Sequence, residues 1–239
     1  MDFSGIDVTL FDLDGVLTPT AEVHQEAWKR TFDEFLEERS GGDFDPFTIE
    51  DYLTYVDGKP RYEGVRSFLE SRGISLPDGD RTEPPGYGTV AALGNAKNEK
   101  FNEVLESDGV EPYPDAIELL DHLRDLHLRL VVVSSSANAV PVLEAAGIRD
   151  RFEFVMDGVV ARQRDLPGKP RPDTFIAAAA EVGSTAASAV VFEDAVSGVQ
   201  AGRGGDFHTV VGVDRTGSAD ALREAGADIV VALLTELID

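Results

Sequence analysis

The sequence contains no cysteine. Thiol nucleophiles, disulfides and cysteine-ligated zinc are therefore excluded. It has no run of about 18 or more apolar residues, so no membrane-spanning helix is indicated. Positive charge is scarce: 21 Lys and Arg face 45 Asp and Glu, for a net charge of −24. Such a chain repels nucleic acid and anionic membranes, and no basic patch offsets the effect. The acidity favours solubility or adaptation to salt; an anionic substrate would have to be held by a few placed cations and a metal. The N-terminus enters the apolar stretch Val8–Phe11 with no basic or long apolar segment before it. The expectation is a cytoplasmic, monomeric protein that binds neither nucleic acid nor membrane.

What is present is 239 residues, 42% hydrophobic and 28% charged. That suffices for one sizeable core and a smaller appended domain. Val8–Phe11 reads as a short buried strand. From Thr20 to residue 108 only helices are legible, at Thr20–Glu38, with Thr20 as N-cap, at Arg61–Ser71 and at Thr89–Leu105. A Pro- and Gly-rich loop, Leu76–Gly88, separates the last two. After Tyr113-Pro114, strands at Leu128–Val133, Phe152–Met156, Ala189–Phe192, His208–Val213 and Ile229–Val231 alternate with helices. The fold class is α/β: a Rossmann-like parallel sheet, residues 1–19 and 109–239, with an all-helical insertion at 20–108.

In open parallel sheets, sites form at the carboxyl ends of the strands. Asp12 and Asp14 follow the first strand, Ser134 the second, and Glu193-Asp194 the fourth; Lys169-Pro170 opens the helix before it. Crowded carboxylates need a cation among them or must take up protons. Mg²⁺ suits such an oxygen set. Asp is a competent nucleophile at phosphorus, and phosphoryl transfer needs an in-line nucleophile and neutralised oxygens. Asp12 would supply the first; Mg²⁺, Lys169 and Ser134 the second. Plainer readings stand beside these. Glu193-Asp194 and Ser134–Ser136 also suit helix N-caps, and Gly202–Gly205 suits a C-cap and turn.

Four segments occur in order: Phe11-Asp12-Leu13-Asp14-Gly15-Val16-Leu17-Thr18, Val131–Ser136, Gly168-Lys169-Pro170-Arg171-Pro172-Asp173 and Val190–Gly198. They resemble motifs I to IV of the haloacid dehalogenase superfamily. Within it the chain is most similar to the β-phosphoglucomutase branch, whose helical cap the insertion would be. The Thr20, His24, Trp28 run, the Gly58-Lys59-Pro60-Arg61 loop and the Lys97-Asn98 pair resemble that branch's cap contacts. The resemblance implies Asp12 as nucleophile, Asp14 as general acid and base, and Lys169, Ser134, Ser135 and Asn138 around the phosphate. It implies Mg²⁺ at Asp12, Asp14 (through its carbonyl) and Asp194, with Glu193 beside them. It further implies a small sugar phosphate as substrate and glucose 1,6-bisphosphate as activator. Three positions depart from the branch: Pro19 stands where it usually has Asp, Ala137 where its mutases carry a phosphate-gripping Lys, and Arg171 where a small residue is usual. The alternatives are a phosphatase on a small phosphomonoester and a non-catalytic phosphosugar-binding domain.

Overall fold

The computed structural model describes residues 1–238, those at 106 and 108 by their backbone only. The chain divides into two compact units, Met1–Thr20 with Val110–Asp239, and Ala21–Gly109.

The first unit is built on a six-stranded, wholly parallel sheet in the order β3-β2-β1-β4-β5-β6. The strands are β1 (Val8–Phe11), β2 (Arg129–Val133), β3 (Phe154–Met156), β4 (Ala189–Glu193), β5 (Thr209–Val213) and β6 (Ile229–Val231). The central strands read as unbroken apolar runs because helices cover both faces of such a sheet. Val8, Leu10, Val131, Val133, Val191 and Val210 share one core with Phe175 and Ala178 of the helix Asp173–Glu181. β1 is paired on both sides, Phe11 opposite Val132 and opposite Phe192. The Phe11 and Phe192 rings stack at 4.4 Å. The chain runs outward from β1 to β3, then returns to β4 on the other side of β1. The crevice of a doubly wound sheet opens at such a reversal, at the carboxyl ends of the strands.

Helices α5 (Pro114–Asp125), α6 (Ala139–Ala145), α7 (Gly158–Gln163), α8 (Asp173–Glu181), α9 (Val196–Gly204) and α10 (Ala219–Ala225) connect these strands. The expected strand from Phe152 is shorter, because a tight turn at Arg149–Arg151 still holds Phe152. α7 escapes a reading by pattern, since Gly158-Val159-Val160 has poor helix propensity. The Asp157 carboxylate starts it instead, accepting the Val159 and Val160 N–H groups at 2.9 and 2.7 Å. Gly202 marks a close approach of α9 to the sheet: a Cβ there would lie 3.0–3.4 Å from Val210 and Val191 methyls.

The second unit is helical, with α1 (Thr20–Ser40) entering it, then α2 (Ile49–Asp51), α3 (Arg61–Ser71) and α4 (Val90–Asp108). A wide turn at Tyr52–Val56 follows α2. Neither was legible, because both are short. α2 is set by a capping box: the Thr48 hydroxyl accepts the Asp51 N–H, and the Asp51 carboxylate accepts the Thr48 N–H. The unit has its own core of Phe32, Phe47, Phe68, Leu69 and Leu93. No helix among the described residues is long and apolar enough to cross a membrane.

Gly202→Val should therefore destabilise the first unit by about 1–3 kcal/mol through overpacking. Urea unfolding checks this; an unchanged midpoint would mean that α9 can move away from the sheet.

Candidate active site

Asp12 follows the last β1 residue, and its N–H continues the ladder to the Phe192 carbonyl at 2.9 Å. Its side chain is buried. Lys169, in the loop before α8, is only 2% exposed. Its ammonium donates to Asp12 Oδ1 at 2.5 Å and to the Val133 carbonyl at 3.0 Å. The same nitrogen pairs with Glu193 Oε1 at the end of β4. One buried cation thus joins the carboxyl ends of β1, β2 and β4. Glu193 is wholly buried, and its Oε2 accepts the Ala195 N–H at 3.0 Å. It therefore steadies the start of α9 as well as pairing with Lys169.

Asp194 completes the cluster. One oxygen from each of Asp12, Glu193 and Asp194 lies within 4.8 Å of the others. Two glycines make room: a Cβ at Gly15 would overlap the Asp194 carboxylate, and one at Gly198 the Glu193 carboxylate. Burial first, then the neighbouring charges of Glu193 and Asp14, push the Asp12 carboxyl well above its usual range, while Lys169 pulls it down. Burial alone would lower the Lys169 pKa, but the Asp12 and Glu193 carboxylates outweigh it and raise it. Lys169 stays charged at neutral pH and leaves the carboxylates in excess. A hard divalent cation fits that excess and the all-oxygen donor set. Glu193 Oε1, beyond its ion pair, has no hydrogen-bond partner among the described residues.

The Asp14 carboxylate is outside that three-carboxylate set and accepts the Thr20 hydroxyl. Thr20 Oγ1 also lies 2.7 Å from Thr18 Oγ1. The expectation of Thr20 as an N-cap is corrected: its hydroxyl is engaged by Asp14 and Thr18 at the head of α1. After β2, Ser134 Oγ accepts the Ser136 N–H at 3.0 Å and Ser136 Oγ the Asn138 N–H at 3.1 Å. These hydroxyls shape the loop; the Asn138 side chain makes no capping bond to α6. Ser134 is buried, and Ser135 and Asn138 are half-buried. Arg171 is 69% exposed and paired with Asp173 at 3.3 Å.

In the helical unit, His24 stacks on Phe101 at 4.0 Å and its Nδ1 contacts Lys97 Nζ. The buried Lys97 ammonium lies 5.2 Å from the Trp28 ring centroid and 4.8 Å from that of Phe101. Arg61, at the start of α3, donates to Asn98 Oδ1 at 2.5 Å. Gly58 has φ +69°, which its loop needs, and Lys59 pins that loop to the Thr54 and Tyr55 carbonyls at 3.3 and 3.0 Å. Within this unit His24 thus meets Lys97, and Arg61 meets Asn98.

The haloacid dehalogenase-like hydrolase model matches residues 6–206. The chain belongs to this family. Among haloacid dehalogenase-like hydrolases it is 49% identical, over 237 residues, to a β-phosphoglucomutase of Mycobacterium bovis, spanning 96% of this chain and 90% of that one. Its structure is similar to that of a β-phosphoglucomutase from Clostridium difficile, with a TM-score of 0.75 and 25% identity over 97% of this chain and 93% of the other. A hydrolase from Pseudomonas syringae superposes with a TM-score of 0.78 at 22% identity over 97% and 96% of the two chains, a likeness of fold alone.

Gly15 and Gly198 are the members of this site to which sequence reasoning assigned no task. Both lie inside quoted motifs, but only the positions of Asp194 and Glu193 show why a side chain is barred there. Replacing Lys169 by Met should leave Asp12 and Glu193 as buried, unpaired carboxylates. The expected cost is about 3–5 kcal/mol at neutral pH. Urea unfolding in chelator measures it, and a loss below about 1 kcal/mol would mean that water already reaches the pair.

Proposed function

We propose that this haloacid dehalogenase-like protein transfers a phosphoryl group on a small sugar phosphate through an aspartyl-phosphate at Asp12, as a β-phosphoglucomutase does. The observation that carries the reading is the buried Lys169 ammonium between Asp12 and Glu193, beside Asp194. The identity with the Mycobacterium bovis β-phosphoglucomutase supports the sugar phosphate as substrate class.

An Asp12 oxygen attacks phosphorus in line, and the bond from phosphorus to the sugar oxygen breaks. Asp14 gives its proton to that oxygen, and the Thr20 hydroxyl holds Asp14 in place. Lys169 and Ser134, with Ser135 and Asn138 on the same loop, hold the phosphoryl oxygens. In the second half, a hydroxyl of the acceptor sugar gives its proton to Asp14 and takes the phosphoryl group from Asp12. Mg²⁺ would be held by Asp12, the Asp14 carbonyl and Asp194, with Glu193 adjacent. It would supply charge neutralisation of the phosphoryl oxygens. In the helical unit, we assign Arg61, Lys97, His24, Trp28 and the Gly58 loop to the part of the substrate that does not react. Glucose 1,6-bisphosphate is the proposed activator.

Asp12→Asn should abolish turnover and leave the melting temperature near that of the wild type, since the amide keeps the shape but is a poor nucleophile. Chelator should silence the enzyme and Mg²⁺ restore it. Substantial activity in either case would refute the site.

Arg61→Ala should lower kcat/KM on a hexose phosphate by about tenfold or more, and acetyl phosphate turnover scarcely at all. Equal losses on both substrates would remove Arg61 from the substrate contacts.

The decisive assay follows β-glucose 1-phosphate. Glucose 6-phosphate should appear, and a trace of glucose 1,6-bisphosphate should remove the lag. Ala137, which leaves the Ser134–Asn138 loop without a Lys, favours the second reading, a phosphatase in which water is the acceptor. Release of inorganic phosphate without glucose 6-phosphate, even after priming, would establish that second reading.

A further inference from the structure

One largely buried ion pair of the first unit has no part in the chemistry so far. Arg215 follows β5, and its side chain is 13% exposed against 10% for Asp115 at the head of α5. The pair is two-pronged: Nη1 to Asp115 Oδ2 at 2.9 Å and Nη2 to Oδ1 at 3.2 Å. Nη1 also donates to the Ala232 carbonyl at 3.0 Å, and the guanidinium lies 4.2 Å from the Tyr113 ring centroid. Its longer bonds go to the loop that carries Asp14: Nε to the Gly15 carbonyl at 3.4 Å and Nη2 to the Val16 carbonyl at 3.5 Å.

That loop is tied to the returning chain as well. The Tyr113 N–H donates to the Leu17 carbonyl at 2.9 Å, and the Gly15 N–H to the Thr18 carbonyl at 2.8 Å. Asp115 Oδ2 accepts the Leu234 N–H at 2.7 Å. One cation therefore touches the loop after β1, the segment returning before α5 and the chain beyond β6. A flat, permanently charged fork with five donors can serve so many acceptors at once; an ammonium cannot.

We propose that Arg215 is a positioning residue for phosphoryl transfer. Through the Gly15 and Val16 carbonyls it sets the placement of the Asp12–Thr18 loop, and with it of Asp14. Asp115 and Tyr113 hold the guanidinium in the pose that does so. The inference rests on the phosphoryl-transfer reading. A misplacement of about 1 Å at a reacting group can cost on the order of a hundredfold in rate.

The test compares wild type, Arg215→Met and Arg215→Lys with β-glucose 1-phosphate as substrate, following both glucose 6-phosphate and inorganic phosphate, well below each melting temperature. In Arg215→Met, kcat should fall on the order of tenfold to a hundredfold, with KM changed less than about twofold. Arg215→Lys, which keeps the charge against Asp115 but not the fork, should fall between. The Gly15 and Tyr113 amides should exchange hydrogen faster in Arg215→Lys, while β1 and β4 amides stay as in the wild type. Unchanged kcat in the folded variants, whatever their melting temperature, would overturn the proposal and reduce Arg215 to a stabilising contact. If Arg215→Met does not fold, Arg215→Lys and Tyr113→Leu decide by the same criterion. A wild type that turns over no phosphate ester would sink the phosphoryl-transfer reading, whereas an active wild type with equally active variants sinks only the role of Arg215.

Discussion

The Lys169 ammonium is the contact on which the rest of the site depends. It bonds Asp12, Glu193 and the Val133 carbonyl, and so closes the carboxyl ends of three neighbouring strands. Buried carboxylates without such a partner would take up protons or expel one another. The parallel sheet supplies the convergence by placing β1 between β2 and β4. Gly198 supplies the clearance that lets Glu193 turn inward. Strand order, a loop lysine and a glycine on α9 together make one electrostatic unit.

A chain of net charge −24 repels an anionic substrate at long range. Several of its few cations are withdrawn from solvent. Lys169 and Lys97 are both buried, and the Arg215 side chain nearly so. Burial removes the screening that weakens exposed charges, so each acts strongly over a short range. Lys97 faces aromatic rings and an imidazole, whereas Lys169 faces carboxylates. The first arrangement seats a cation among ring faces and a ring nitrogen; the second ties the ends of three strands together.

The sheet, the insertion and the carboxylate cluster were legible because each rests on a local pattern. Apolar runs ending in Asp12, Ser134 and Glu193 mark buried strands and their carboxyl ends. The short elements were not. α2 depends on the reciprocal Thr48–Asp51 bonds, and α7 on the Asp157 side chain, against the preference of Gly158-Val159-Val160. Thr20 looked like a cap because its type suits one, yet its hydroxyl is drawn to Asp14, six residues back. Arg215 carries no local signal: Asp115 and the Gly15 carbonyl lie 100 and 200 positions away in the chain. Only the closed fold reveals that an arginine in an acidic C-terminal stretch touches the loop after β1.

The bond from the Tyr113 N–H to the Leu17 carbonyl has a consequence for how such a chain can be assembled and varied. It closes the sheet-bearing unit across the point where the helical segment departs and returns. From the viewpoint of the sheet, residues 21–109 form one long loop whose ends are already joined. The entropy of closing a loop grows only with the logarithm of its length, about 0.6 kcal/mol for each doubling. Lengthening, shortening or exchanging that segment therefore costs the sheet little. The helical segment, with an aromatic core of its own, is from the standpoint of the sheet's stability a removable cassette.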